Sequence, residues 1–148
     1  DPWADRDRII SATNTAQLHS YIRGLPRDYE TLVGERGVSL SGGQRQRLVI
    51  ARALVMQPSI LVFDDSTAAI DAATEQRILS SLQEHSADSV VIIISHRLSS
   101  LMHANEILFV DEGRVMERGD HESLLAQGGK YAALYELQSN PVDESLLQ

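Results

Sequence analysis

Apolar residues recur along this chain with two different periods. Between Asp1 and Leu25 they are spaced to form one apolar stripe, which predicts a helix that ends before Pro26; the stripe consists of Ile9, Ile10, Ala12, Ala16, Leu18 and Ile22. Two short aliphatic runs, Ile60–Phe63 and Val90–Ile94, instead predict buried strands, the first of them covered on both faces. Strands that alternate with helices are typical of an α/β layered fold with a mostly parallel sheet.

The other elements follow from caps, breakers and amphipathic spacing. Ser41 can cap a helix that continues through Arg45–Arg52 and stops before Pro58. A further amphipathic helix is predicted over Ala72–Glu84, with these residues facing inward: Ile78, Leu79 and Leu82. The remaining pattern predicts a hairpin, two short helices and a flexible tail, over residues 106–118, 120–127, 130–138 and 140–148.

Composition narrows the possible functions. A formal net charge of −8 argues against a nucleic-acid surface, because phosphate binding requires clustered Lys and Arg. The absence of Cys excludes disulfides and thiolate metal sites, and it fits a reducing compartment. No aliphatic run approaches the roughly 20 residues that span a bilayer, and no signal-peptide pattern opens the sequence. Membrane contact is therefore expected through a partner or through additional chain.

Chemically reactive side chains follow both predicted strands. Asp64 and Asp65 come directly after the first aliphatic run, and Ser95 and His96 follow the second. In parallel α/β sheets, ligands bind beyond the carboxyl ends of the strands. A carboxylate at such an end is well placed to orient a metal-bound water. The residues alone therefore predict a ligand site at this edge of the sheet.

The start of the Arg-rich helix is a second candidate site. The stretch Leu40–Arg47 has the sequence Leu-Ser-Gly-Gly-Gln-Arg-Gln-Arg, whose glycines let backbone amides approach an anion at a helix N-terminus. A Ser-capped helix with a flexible approach is the structural alternative. The octet closely resembles the signature motif of ABC ATPases. This resemblance implies that four residues contact ATP held by a second cassette: Ser41, Gly42, Gly43 and Gln44.

The resemblance extends to the residues at the strand ends. Asp64 matches the Walker B carboxylate, which implies a role in holding Mg²⁺ through water near the ATP phosphates. His96 matches the switch histidine that contacts the γ-phosphate in the family. Residues 68–71, Ala-Ala-Ile-Asp, resemble the D-loop, with Ala68 in place of the usual Ser and Asp71 retained.

Asp65 departs from the family pattern. It stands where the family usually has a catalytic Glu that orients or deprotonates the attacking water. Asp is one methylene shorter than Glu, and a misplacement of about 1 Å can cost roughly 10²-fold in rate. The resemblance therefore predicts a weakened catalytic base in the site built on this chain's own Walker half.

Two more segments resemble those of ABC exporters. Thr31–Gly37 is similar to the segment before the signature that touches the membrane domain, which implies coupling roles for Glu35 and Arg36. A solvated charge pair is the alternative for these two residues. Asp111–Glu122 resembles the end of an exporter cassette, so the resemblance covers nearly the whole chain except its last ten residues.

The implied architecture is the C-terminal part of a RecA-like ABC-ATPase domain. It divides into the helical signature subdomain, the core and a flexible tail, over residues 1–57, 58–139 and 140–148. The phosphate-binding pattern Gly-x-x-x-x-Gly-Lys-Ser/Thr does not occur. Gly37 and Gly42 have the separation that the pattern requires, but Gly-Gln follows them in place of Lys-Ser/Thr. We therefore expect the chain to start inside the helical subdomain and to leave apolar sheet surface uncovered. By itself it is expected neither to bind ATP tightly nor to hydrolyse it.

The family's assembly makes Asp65 informative about the partner. Two cassettes sandwich two ATP molecules, each between the Walker half of one cassette and the signature of the other. A homodimer would carry Asp in both sites, so we expect a heterodimeric exporter with one slow site. Its transmembrane domains would hold the cassettes on the cytoplasmic side of the cell membrane and select the substrate. A slow homodimer in which Asp65 still works is the alternative.

Two interpretations from other classes stay open. A chromosome-maintenance or DNA-repair ATPase also combines signature and Walker B in its C-terminal lobe, but it requires a long heptad coiled coil upstream of the signature. No heptad pattern precedes Leu40 here. A nucleotide-binding regulatory subunit without a transport role would differ in its upstream sequence, which would lack the six hydrophobic spans of an exporter.

Overall fold

The computed structural model describes the greater part of the chain: residues 4–34, 38–65, 67, 69–85 and 89–139. The chain divides into two compact units, and the boundary lies between Ile94 and Ser95. Among the described residues we find no helix with the length and apolar character needed to cross a bilayer. The subdomain boundary after residue 57 stays a prediction, and the predicted tail, 140–148, lies outside the described residues.

The first unit combines α-helices with one pair of strands. In chain order its elements are α1 (Arg6–Thr15), α2 (His19–Arg23), a 3₁₀ helix (Asp28–Glu30), α3 (Gly42–Val55), β1 (Ile60–Asp64), α4 (Ala72–His85) and β2 (Val90–Ile94). Helices α3 and α4 and both strands lie where the sequence predicts them. The prediction of a mixed helix and sheet fold is therefore confirmed.

The predicted single helix before Pro26 is wrong, because the chain turns sharply within it. Gln17 has a left-handed backbone conformation with φ of 54°, which separates α1 from α2. Its carbonyl accepts a hydrogen bond of 2.6 Å from the guanidinium of Arg47 on α3. The turn leaves Leu18 only 2% exposed. Apolar spacing gives no signal for this turn, since the bond that holds it joins residues 30 positions apart.

Strands β1 and β2 pair in parallel, as predicted. Asp64 lies opposite Ile94, and the Asp65 N–H extends the ladder by donating to the Ile94 carbonyl at 3.0 Å. Leu61 and Phe63 are buried on one face. The prediction that β1 is covered on both faces is wrong in this structure, because the apolar side chains of the other face are 45–59% exposed: Ile60, Val62, Val90, Ile92 and Ile94. The expectation of uncovered apolar sheet surface is confirmed.

A hydrophobic core forms against the buried face of β1. Helix α4 contributes Ile78 and Leu82, which are 0% and 2% exposed, and Leu79 packs at the margin. The three residues predicted to face inward on α4 therefore do so. The full cluster consists of Ala16, Ile50, Ala51, Leu61, Phe63, Ile70, Ile78 and Leu82.

The second unit is a hairpin accompanied by short helices. Its elements are a 3₁₀ helix (Leu98–Ser100), β3 (Ile107–Asp111), β4 (Arg114–Gly119), α5 (His121–Gln127) and α6 (Lys130–Ser139). The two residues of the hairpin turn, Glu112 and Gly113, both have positive φ, as in a type I′ turn. Asp120 caps α5 by accepting from the Ser123 N–H at 2.8 Å. The predicted hairpin and helices are confirmed.

Ile78 provides a test of this packing. Replacing its fully buried side chain by Ala leaves a cavity, so we expect Ile78→Ala to lower the free energy of unfolding by about 2–5 kcal/mol. Ile60→Ala is the matched control, because Ile60 is 59% exposed and its loss should cost about 1 kcal/mol or less. Urea unfolding of the 148-residue chain measures both. Equal losses would show that Ile78 does not lie in the core.

Candidate functional site

The Ser-Gly-Gly segment forms a capped helix start. The Ser41 hydroxyl accepts from the Gln44 N–H at 3.2 Å, and the Gln44 side chain accepts from the Ser41 N–H at 2.8 Å. This reciprocal pair is a capping box, so the predicted Ser41 cap is confirmed. The amides of Gly42 and Gly43 lie in the first turn, where a helix has no carbonyl to accept from them. They and the positive end of the helix dipole can therefore receive an anion.

The same helix start lies against the loop between β1 and α4. A Cβ at Gly43 would stand 2.9 Å from the Ala69 carbonyl oxygen, so a larger residue requires the loop to shift. The Gln46 side chain, one turn further along α3, accepts a hydrogen bond of 2.9 Å from the Ala69 N–H. Sequence reasoning assigned Gly43 to anion approach alone. The structure adds a steric requirement from within the chain.

The two carboxylates at the end of β1 have different backbone environments. Asp64 is the last residue of the strand, whereas Asp65 has left the strand geometry with φ of 48°. Left-handed conformations are rare for non-glycine residues, but Asp and Asn adopt them more readily than others. Both residues are exposed at the carboxyl end of the sheet, where α/β folds bind ligands.

Buried polar contacts fix the loop that follows. Thr67 donates to the Glu75 carboxylate at 2.5 Å, and these residues are only 6% and 3% exposed. Asp71 caps α4 by accepting from the Thr74 N–H at 2.9 Å. Ala68 lies outside the described residues, so its part in the D-loop stays a prediction. Sequence reasoning missed Glu75, because a Glu on an amphipathic helix is normally assigned to the solvent face.

His96 lies in the second unit, whereas Asp64 and Asp65 lie in the first. Gln138 of α6 holds the segment around it: its amide donates to the His96 carbonyl at 2.7 Å and accepts from the Leu98 N–H at 3.0 Å. The backbone that carries the imidazole is therefore anchored within its own unit. That His96 shares a site with the two carboxylates remains a prediction.

The segment predicted to contact a membrane domain borders an apolar cavity. Val33 and Val38 form an isolated bridge on either side of Glu35 and Arg36, which lie outside the described residues. Val33 also lines a cavity of about 180 Å³ within the first unit. Most of its lining is apolar and includes Ile9, Leu18, Leu25, Tyr29, Leu40 and Leu48.

The described residues fit a magnesium ion bound with a nucleotide better than a metal bound by protein alone. Across the described stretches, no group of three or more His, Asp or Glu side chains comes together as a metal cluster. Mg²⁺ usually keeps several waters and takes one or two carboxylates together with phosphate oxygens. Asp64, a single carboxylate at a strand end, matches that requirement.

Comparison with known proteins gives consistent matches. The family model described as ABC transporter matches residues 4–68. An uncharacterized ABC transporter ATP-binding protein of Bacillus subtilis is 48% identical over 95% of the chain, and an ATP-dependent lipid A-core flippase of Haemophilus influenzae is 47% identical over 90%. A bacterial Atm1-family ABC exporter with ATP bound superposes with a TM-score of 0.87, is 42% identical and matches 97% of the chain.

The chain is part of the nucleotide-binding domain of a protein of the ABC transporter family, and the relatives that it matches include ABC exporters. The matched part is 24% of the Bacillus protein, 23% of the flippase and 25% of the exporter chain. The chain thus spans about a quarter of the length of these relatives. The predicted resemblance to the nucleotide-binding domain of an ABC exporter is confirmed, whereas the roles of the individual signature and Walker B residues stay predictions.

Asp71 gives a prediction about pH. Hydrogen bonds from the Thr74 backbone and then from its hydroxyl lower the pKa of the Asp71 carboxyl below its ordinary 3.8. A lowered folded-state pKa adds stability that is present above pH 3.8 and is lost as the pH falls through the folded value. We expect an NMR titration to give the Asp71 carboxyl a pKa below 3.8. In Asp71→Asn, the part of the stability loss at low pH that comes from protonating this carboxyl should disappear. A measured value at or above 3.8 would contradict the capping geometry.

Proposed function

We propose that this chain is part of an ATP-binding and ATP-hydrolysing cassette that powers an ABC exporter. One observation carries the proposal: the Ser41-capped start of α3 and the carboxylates that end β1 belong to the same compact unit. A helix start rich in glycine suits the phosphates of one ATP, and a strand-end carboxylate suits the Mg²⁺ that accompanies a second ATP. Family relatives with exporter and flippase in their names support the transport role.

The signature acts in trans in this proposal. The amides of Gly42 and Gly43 donate to the γ-phosphate of ATP that the partner cassette holds. The Ser41 hydroxyl oxygen already accepts from the Gln44 amide, which leaves its own proton to donate to the same phosphate. Because these donors are fixed by the capping box, little reorganisation is needed when charge develops on the phosphate.

The chain's own Walker half forms the other site. Asp64 would hold Mg²⁺ through a water, and the ion, when bound, would neutralise phosphate charge. Asp65 orients or deprotonates the attacking water, and His96 contacts the γ-phosphate. The reach of Asp65 is one methylene short of Glu, so this site hydrolyses ATP slowly.

The slow site leads us to propose a second, different half-transporter as the partner. In a heterodimer the signature of this chain completes the partner's competent site, while Asp65 sits in the slow one. A homodimer would place Asp in both sites and would be slow overall. The intact capping box beside a shortened base supports the division of labour between two different chains.

Coupling to transmembrane domains is proposed for the segment with Glu35 and Arg36. The apolar cavity lined by Val33 can receive the apolar side of a cytoplasmic loop, and the two charges can contact its polar side. The cassette would then work on the cytoplasmic side of a cell membrane. No nucleic acid partner is proposed, since the net charge is −8.

The remainder of the full protein is proposed to complete the cassette. It would supply the phosphate-binding loop with its Lys and further strands beside β1 and β2. Apolar side chains from that part would cover Ile60, Val62 and Ile92 on the exposed face of the sheet. Without it, the 148-residue chain would neither bind ATP tightly nor hydrolyse it.

Gly42 tests the signature role. A Cβ at this position meets the Ala69 Cβ at 3.5 Å, an ordinary contact, so Gly42→Leu should fold. Its side chain would push the phosphate away, and a displacement of about 1 Å costs roughly 10²-fold. We expect the steady-state ATPase rate of the full transporter to fall by about that factor. Gly24→Leu, at the exposed end of α2, is the control and should leave the rate unchanged. Near-normal turnover in Gly42→Leu would refute the trans role.

Asp65 tests the slow site. Asn also tolerates a left-handed backbone, so Asp65→Asn removes the charge without straining the turn. We expect Asp65→Asn to change the ATPase rate of the purified heterodimer by less than about twofold, whereas loss of the equivalent Glu in the partner should cost about 10²–10⁴-fold. Asp65→Glu should restore some hydrolysis at this site. If Asp65→Asn collapses activity as the partner's variant does, Asp65 is a working base, and a homodimer or a transporter with two active sites replaces the asymmetric heterodimer.

A further inference from the structure

One face of the first turn of α3 lies against Ala69 in the loop after β1. Gly42 and Gln46 are four positions apart and therefore lie on the same side of the helix. The Gln46 side chain accepts from the Ala69 N–H at 2.9 Å, and Gly43 allows the Ala69 carbonyl to approach within 2.9 Å of its Cβ position. Both polar groups of the Ala69 backbone thus face the signature helix.

Other described residues of this loop are fixed by contacts with the core and with α4. Ile70 is 4% exposed within the hydrophobic core, and the Thr67–Glu75 hydrogen bond is buried. Asp71 begins α4 through its cap on Thr74. A loop held by a core side chain and by two polar bonds cannot shift without breaking one of them. Gln46 therefore links α3 to a loop that moves with β1 and α4.

We propose that Gln46 is a positioning residue that couples the two nucleotide sites of the transporter. This inference rests on the proposed function, in which the signature serves the partner's site and Asp65 serves the chain's own site. Asp65 lies two residues before Thr67, and Gln46 lies one turn after Gly42. The Gln46–Ala69 hydrogen bond therefore connects the loop that carries Asp65 to the helix that carries the signature of the same chain.

The coupling has a directional consequence. When the signature helix closes on ATP in the partner's site, the Ala69 backbone moves with Gln46. The hydrogen bond thereby sets the distance between α3 and the loop that follows β1. When the hydrogen bond is lost, the signature can still bind phosphate through its amides, but its position no longer follows the loop. Binding of ATP should then be preserved while the hydrolytic step is slowed.

The test uses two substitutions of similar size in the full-length transporter with its partner. Gln46→Met keeps the length of the side chain and removes the strong acceptor, whereas Gln46→Glu keeps an acceptor for the Ala69 N–H. We expect Gln46→Met to lower kcat by about 10-fold to 10²-fold with KM for ATP changed by less than about twofold, and Gln46→Glu to stay within about threefold of wild type. Gln76→Met, at an exposed position on α4, is the control and should leave both constants unchanged.

The outcomes separate this inference from the proposed function. A kcat loss in Gln46→Met that Gln46→Glu does not share, at thermal unfolding midpoints that agree between the two variants, supports the coupling role. A kcat loss that comes with a lowered unfolding midpoint in Gln46→Met overturns it, because the loss then reflects stability. Equal losses in both, or wild-type kcat in Gln46→Met, overturn it. Gly42→Leu is measured in parallel. If Gly42→Leu abolishes turnover while Gln46→Met does not, the coupling fails and the signature role stands; if Gly42→Leu is itself active, the proposed function fails.

Discussion

The parallel register of β1 with β2 is the constraint on which the first unit depends. With Asp64 opposite Ile94, the Asp65 N–H reaches the Ile94 carbonyl, and the chain must leave the sheet at that residue. A slip of one residue would turn Leu61 and Phe63 away from the core, because neighbouring side chains on a strand point to opposite faces. The hydrophobic core therefore fixes where the strand ends and which carboxylate begins the loop.

Hydrogen bonds connect the loop after β1 to the neighbouring helices. The Thr67–Glu75 bond ties the loop to α4, and the Gln46–Ala69 bond ties it to α3. At the far end of the same helix, the Val55 carbonyl accepts from the Arg8 guanidinium of α1 at 2.5 Å. Apolar packing alone would allow these segments to shift slightly relative to one another. The hydrogen bonds restrict such shifts and therefore define the geometry of the site more closely.

Local patterns were sufficient to predict the elements of the fold, whereas contacts between distant residues were not predictable. The alternation of β1 and β2 with helices, the Ser41 cap and the β3–β4 hairpin follow from spacing and turn residues that act over a few positions. The turn at Gln17 depends on Arg47, and the burial of Glu75 depends on Thr67. Of the candidate site, the helix start and the strand-end carboxylates were predicted, but the bond between α3 and the loop was not.

The uncovered strand pair has a consequence for handling the chain by itself. Within the described residues β1 and β2 pair only with each other, so each strand presents a free edge of N–H and C=O groups beside a row of Ile and Val side chains. Such an edge is a template for strands of other molecules. Concentrated solutions of the isolated chain should therefore form sheet-rich aggregates.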